Sequence, residues 1–221
     1  MRRGSLRRLA GSLALLGFAL APLIHAQGRP AVRGRWAIGL TLGVSSFTGA
    51  TEGTGPQGES ISFTPYRPTM WGISAAYGAR RVRTGVSARY GQAGLAIRGV
   101  PSSEGPAAGV LVIAENAYRL ASLGVGVSAQ LVRLYGGPSL RPSLGLAVER
   151  WTAPGTSPRT ILGGQAGLAM EVALTRAGVA SVEAELGFTP ASPFLAADLP
   201  EGYRVRSAWR RTLAAGLYWR F

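Results

Sequence analysis

The stretch Ser207 to Phe221, SAWRRTLAAGLYWRF, constrains the fold more than any other in this chain. Taken two at a time, Trp209, Arg211, Leu213, Ala215, Leu217, Trp219 and Phe221 fall on one face. Arg210, Thr212, Ala214, Gly216, Tyr218 and Arg220 fall on the other. A period of two describes a strand whose faces meet different media. A soluble sheet seldom leaves Trp-Arg-Phe on a flat, uncovered edge, where it would invite aggregation. The arrangement is accounted for if the strand closes a barrel and its apolar face meets lipid.

Leu213, Leu217, Trp219 and Phe221, at alternate positions up to a terminal Phe, resemble the last strand of bacterial outer-membrane β-barrel proteins. The resemblance is to the small eight-stranded OmpA/OmpX-like type. It implies that these four residues act as a signal read by the barrel-assembly machinery, and that the chain resides in the bacterial outer membrane. It names no molecular activity.

The amino terminus fits export. Arg2, Arg3, Arg7 and Arg8 precede an apolar run from Leu9 to Leu20 broken only by Gly and Ser. Pro22 ends the run, and Ile24-His25-Ala26 before Gln27 offers a small-residue cleavage point. Residues 1–26 therefore read as a signal peptide and 27–221 as the barrel domain. A retained membrane helix would need roughly 20 apolar residues, which this run lacks. There are no cysteines, so a disulfide-stapled secreted domain is excluded.

The formal net charge is +14, and every basic residue is arginine. Four of the 24 arginines lie in the leader, leaving 20 against 10 acids, or +10. A basic balance ordinarily favours nucleic acid. An exported chain meets no genome, however, and these arginines are scattered, so no nucleic-acid partner is expected.

Alternation recurs along the chain. Trp36, Ile38, Leu40, Leu42 and Val44 oppose Ala37, Gly39, Thr41, Gly43 and Ser45. Comparable segments start near Thr69, Thr84, Ala117, Leu140, Thr160 and Ser181. A change of parity around Leu95 and Ile97 suggests a bulge. The expected long connections are Thr48–Pro68, Arg98–Asn116, Trp151–Arg159 and Thr189–Arg206. Between them come short turns at Arg80–Arg83, Tyr135–Pro138 and Thr175–Gly178. Long and short connections in alternation describe an all-β, closed, antiparallel up-and-down transmembrane β-barrel. Eight strands are expected, with Val110–Ala114 an extension of the fourth; a ninth membrane strand there would make the count odd. A soluble lipocalin-type barrel would alternate too, but the inward Gly, Ser, Ala, Arg, Glu and Gln are too polar for an apolar ligand cavity.

The inward face gathers Arg89, Arg141, Arg210 and Arg220 with Glu149, Glu171, Glu183 and Glu185. Buried charges are costly unless paired, so Arg–Glu ladders are expected. They read as a polar plug of a narrow barrel, or alternatively as a narrow channel for ions or small solutes. Enzymes among membrane barrels generally use an active-site His, and here the only one is His25, in the leader. With no His, Cys or Lys after the leader, neither catalysis nor a metal or other cofactor is expected. The expected partners are outer-membrane lipid, with lipopolysaccharide phosphates suited to loop arginines, and the assembly machinery; a monomer is expected. The reading is an outer-membrane protein with a structural or surface-interaction role.

Overall fold

A large apolar residue at every second position, with a small or polar one between, selects extended backbone because a strand sends successive side chains to opposite faces. A computed structural model of the chain describes residues 36–54, 60–79, 81–102, 105–133, 137–199 and 201–221. The expected leader, 1–26, lies outside the described residues. The strands are β1 (Trp36–Thr54), β2 (Ser60–Gly78), β3 (Val82–Ser102), β4 (Gly105–Ala129), β5 (Val132–Arg133), β6 (Ser139–Thr152), β7 (Arg159–Ala173), β8 (Gly178–Thr189) and β9 (Arg204–Arg220). Among the described residues, one 3-10 turn covers Ala196–Asp198.

Sequence neighbours pair antiparallel, and β5 is only a two-residue piece against β6. The ring closes because β1 pairs with β9, from Ala37↔Arg220 to Glu52↔Arg204, and β4 pairs with β6, from Arg119↔Thr152 to Ser128↔Ser143. The eight long strands thus form a closed up-and-down barrel. Closure leaves none of them as a free edge.

Closure also assigns the faces. On β1, Trp36, Ile38, Leu40, Leu42 and Val44 are exposed while Ala37, Gly39, Gly43 and Ser45 are buried. The same inversion of ordinary burial holds around the ring, with Ile73, Val86, Leu123, Val125, Leu144, Leu162, Leu168 and Leu213 all exposed. Aromatic residues mark both borders of this band. Trp36, Tyr77 and Trp219 lie near the end carrying the termini, and Trp71, Tyr90 and Trp209 lie towards the far end. Trp36 and Tyr77 pack with tilted rings, 4.8 Å between centroids. Beyond the apolar rows the outward positions turn polar, with Ser46, Thr69, Gln92, Arg119, Arg150 and Arg211. The apolar rows cover about the 9–11 residues that a tilted strand needs to cross hydrocarbon, and a continuous apolar exterior of that kind is not a water-facing surface.

The far end departs from expectation. Most of Thr48–Pro68 and Arg98–Asn116 is paired strand instead of loop: β1 and β2 leave only 55–59 between them, and β3 and β4 only 103–104. Val110–Ala114 belongs to β4, with Val110 opposite Arg98. Residues 190–203 are the one long connection among the described residues at this end. Gly and Pro weaken strand propensity, but cross-strand pairing overrides it. Thr51 Oγ1, for instance, accepts from Phe63 N at 2.7 Å across the β1–β2 ribbon. The fourth strand ends at Ala129 instead of Leu134. The β3–β4 register does shift between Ala93 and Leu95. Pro142 sits where pairing passes from Ser128↔Ser143 to Val132↔Leu140, so its missing donor falls in a gap of the ladder.

The exposed apolar band generates a direct prediction. Leu123 is 66% exposed at the middle of β4's outward row. Leu123→Arg is expected to lower folding stability in lipid vesicles by about 2–4 kcal/mol, read from urea titrations of vesicle-bound chain. Unchanged stability would mean that this face does not meet hydrocarbon.

Candidate functional site in the barrel lumen

Inward positions converge on an axis only a few side chains wide, so charges from distant strands meet there. Near the terminal end, Glu171 on β7 is the hub. Its Oε1 accepts from Arg83 Nη1 at 3.1 Å and lies 3.3 Å from Arg141 Nε, while its Oε2 accepts from Arg220 Nη2 at 2.7 Å. Three strands other than its own supply these guanidiniums.

A second layer lies further in. Glu185 Oε1 accepts from Arg89 Nη1 and from Arg210 Nη2, each at 2.8 Å. Arg210 Nη1 also donates to Glu149 Oε1, and Trp151 Nε1 donates to Glu149 Oε2 at 3.1 Å. Glu183 Oε1 is met by hydroxyls, accepting from Ser181 Oγ at 2.9 Å and Tyr218 Oη at 2.5 Å. The Tyr218 ring lies across Gly39, where an added Cβ would collide with it. A cavity of about 170 Å³ separates the layers, lined among others by Arg83, Arg89, Gln165, Glu171, Glu183 and Tyr218.

The structure therefore places Arg89, Arg141, Glu149, Glu171, Glu183, Glu185, Arg210 and Arg220 together in the lumen. Arg83 and Trp151 join them, although their positions in the sequence suggested a turn and a loop. Arg83 shares the parity of Arg89, and Trp151 that of Glu149, so carrying each strand's alternation two residues further would have found both. Tyr218 was on the inward face from the start, but nothing in the sequence paired it with Glu183.

The far half of the lumen adds an apolar layer that the expected polar interior did not include, beside buried Thr51, Thr64 and Thr189. Phe47, Met70, Ala93, Leu120, Trp151 and Ile161 form one buried layer, with Phe47 and Trp151 edge to face at 5.4 Å. Above it, Phe194 from the 190–203 segment packs with Ala50 and Ala208. Its backbone is tied down: Phe194 N donates to Ser192 Oγ at 3.0 Å, and Phe194 O accepts from Arg159 Nη1. Arg98 and Arg159, expected on free loops, are held in the fold, since Arg98 Nε donates to Thr64 Oγ1 at 3.1 Å. Leu213, Leu217, Trp219 and Phe221 all point outward and are exposed. Among the described residues, no group of three or more His, Cys, Asp or Glu is arranged to hold a metal ion.

No protein-family model matches the chain, and no curated protein matches it. Solved structures do. Neisserial surface protein A aligns over 84% of this chain and 99% of its own, at 14% identity and a TM-score of 0.53. OprG from Pseudomonas aeruginosa aligns over 88% and 98%, at 12% identity and 0.48. The amino-terminal barrel domain of OprF from the same organism aligns over 84% and 99%, at 12% and 0.42. The fold is that of the small outer-membrane barrels. At such identities the likeness lies in the backbone alone.

The hub predicts a contrast between two carboxylates. Glu171→Gln leaves three guanidiniums without their counter-charge and is expected to cost about 3–5 kcal/mol. Glu52→Gln removes only the exposed pair with Arg206, whose side chains are 56% and 58% accessible, and is expected to cost under about 1 kcal/mol. Unfolding of the detergent-folded barrel, followed by its heat-modifiable gel mobility, measures both. Equal effects would remove Glu171 from its role as hub.

Proposed function

We propose that this chain is an integral outer-membrane barrel with a plugged lumen, and that its role is structural or carried by the outward surface of its far end. The observation that supports the plug is the stacking of unlike layers along one narrow axis. Two tiers of Arg–Glu pairs occupy the terminal half, the Phe47–Trp151 layer crosses the middle, and Phe194 covers the far mouth. A solute leaving the cavity towards the far end would have to displace buried aromatic rings. In this reading the termini and short turns face the periplasm and the extended ribbons face outward, as in a transmembrane meander.

The outward surface supports a lipid partner. Arg119, Arg150 and Arg211 project from the exterior just beyond the apolar rows, at the height of headgroups, where phosphates offer charge-assisted hydrogen bonds. The reading assigns no catalytic role, because residues 27–221 contain no His, Cys or Lys. It treats the barrel as a monomer, since closure leaves no edge to pair with a second copy. The alternative, a narrow channel, draws on the cavity of about 170 Å³ among the charged tiers.

Two measurements test this. In planar bilayers the folded chain is expected to give no steady unitary steps; regular steps would replace the plug by the channel. For the assembly signal, Phe221 is 66% exposed, so its removal should cost the folded barrel little. Phe221→Ala is accordingly expected to lower the amount recovered in outer membranes several-fold while leaving refolding in detergent unchanged. Normal recovery in membranes would withdraw the signal role from this residue.

A further inference from the structure

The described residues include only three non-glycine positions with positive φ, and two of them, Arg67 (φ 39°) and Asn116 (φ 54°), line one groove. Left-handed backbone at such residues persists only where the surroundings impose it, and it concentrates at binding sites. Here two bulges impose it. The β2–β3 register slips between Tyr66 and Thr69, an interval that contains the fully buried Pro68, and the β3–β4 register slips between Ala93 and Leu95. Both open on the outside of the barrel around Gly94. The groove between them has a volume of about 440 Å³.

Its walls are chemically mixed. Tyr66, Trp71 and Tyr90 supply aromatic faces, Gln92 and Asn116 supply amides, and Arg67 and Glu115 supply charge. Trp71 and Tyr90 stand opposite one another with ring centroids 6.0 Å apart, and the Arg67 guanidinium lies 5.2 Å from the centre of the Tyr66 ring. Arg119 faces outward beside Gln92, and Arg150 lies diagonally across the β4–β6 pair from it. Aromatic faces and amides suit the C–H faces and hydroxyls of a sugar, and guanidiniums within the groove or beside it suit phosphate. Below the groove the outward rows become Ile73, Ala88 and Leu123, which belong to the apolar band. A molecule filling both regions has acyl chains beneath and a phosphorylated sugar above.

We infer that this groove binds the phosphorylated sugar headgroup of an acylated glycolipid in the outer leaflet. The inference rests on the outer-membrane reading and locates its lipid contact on one side of the barrel. The Arg67 and Arg119 guanidiniums hold the phosphate, Trp71 and Tyr90 hold the sugar ring at the boundary, and the bulges keep the site open.

The full chain, reconstituted into phosphatidylcholine nanodiscs containing a small fraction of diphosphorylated, acylated glucosamine disaccharide, tests it. Lipid that stays bound is counted by native mass spectrometry. Wild type is expected to retain the glycolipid at least tenfold better than its dephosphorylated form and better than phosphatidylglycerol at equal fraction. Arg67→Gln with Arg119→Gln is expected to lose at least tenfold in retention, while Arg206→Gln, an exposed arginine paired with Glu52 at the same end of the barrel, leaves it unchanged. Equal retention by the double variant, equal loss with Arg206→Gln, or equal uptake of phosphatidylglycerol would each overturn the site. Displacement by the same disaccharide without acyl chains would also overturn it, in favour of a soluble glycan. A chain that never inserts into the discs overturns the membrane reading as well; one that inserts with heat-modifiable mobility but retains no glycolipid overturns this inference alone.

Discussion

Backbone N–H and C=O groups inside hydrocarbon have no water to turn to, so a sheet that crosses it has to close on itself. The rest of this structure follows from that closure. Once β1 meets β9 and β4 meets β6, the side-chain parity of all eight long strands is set together. A slip of one residue in any pair would send Leu and Trp into the lumen and Arg and Glu towards lipid. The cost of that exchange, summed over the ring, keeps the register single-valued. The exterior is consequently a hydrophobic band with aromatic borders, and the interior receives every charged residue that the alternation directs there.

Parity made the membrane-level part of the fold legible in the sequence, along with the charges that share the lumen. Those features depend on local alternation and on counting from one residue to its second neighbour. The far end was harder to read because its strands are held by partners instead of by composition. The segment holding Gly49, Gly53 and Gly58 has the content of a loop, yet β1 runs to Thr54, with Thr51 bonded to Phe63 and the Tyr203 ring tilted against Phe63 at 4.9 Å. The apolar layer was not anticipated either, although only its Trp151 lay in an expected connection and its other members lay inside expected strands. Phe47, Met70, Leu120, Trp151 and Ile161 lie one inward step or so beyond the small and charged residues already assigned to the lumen. The pairing of Tyr218 with Glu183 could not be read from spacing at all, since it depends on which strands face one another across a closed ring.

The two halves of the lumen are mechanically joined. Trp151 belongs to the apolar layer through Phe47 and to the charged tier through its Nε1 bond to Glu149. Glu149 and Glu185 share Arg210, and Glu185 in turn holds Arg89. A chain of contacts therefore runs from the aromatic layer to the wall of β3. Arg210 is 3% exposed, so neither of its carboxylates can exchange it for water at low cost. Displacing the Trp151 ring to open the far half would leave Glu149 short of a donor, and loosening the ion pairs would free the ring. Each layer raises the cost of opening the other. A lumen built from charged pairs alone would be a wet path whose width fluctuates, whereas one that couples ion pairs to packed aromatic rings resists in both directions. That coupling is the physical ground for preferring a plug to a channel here.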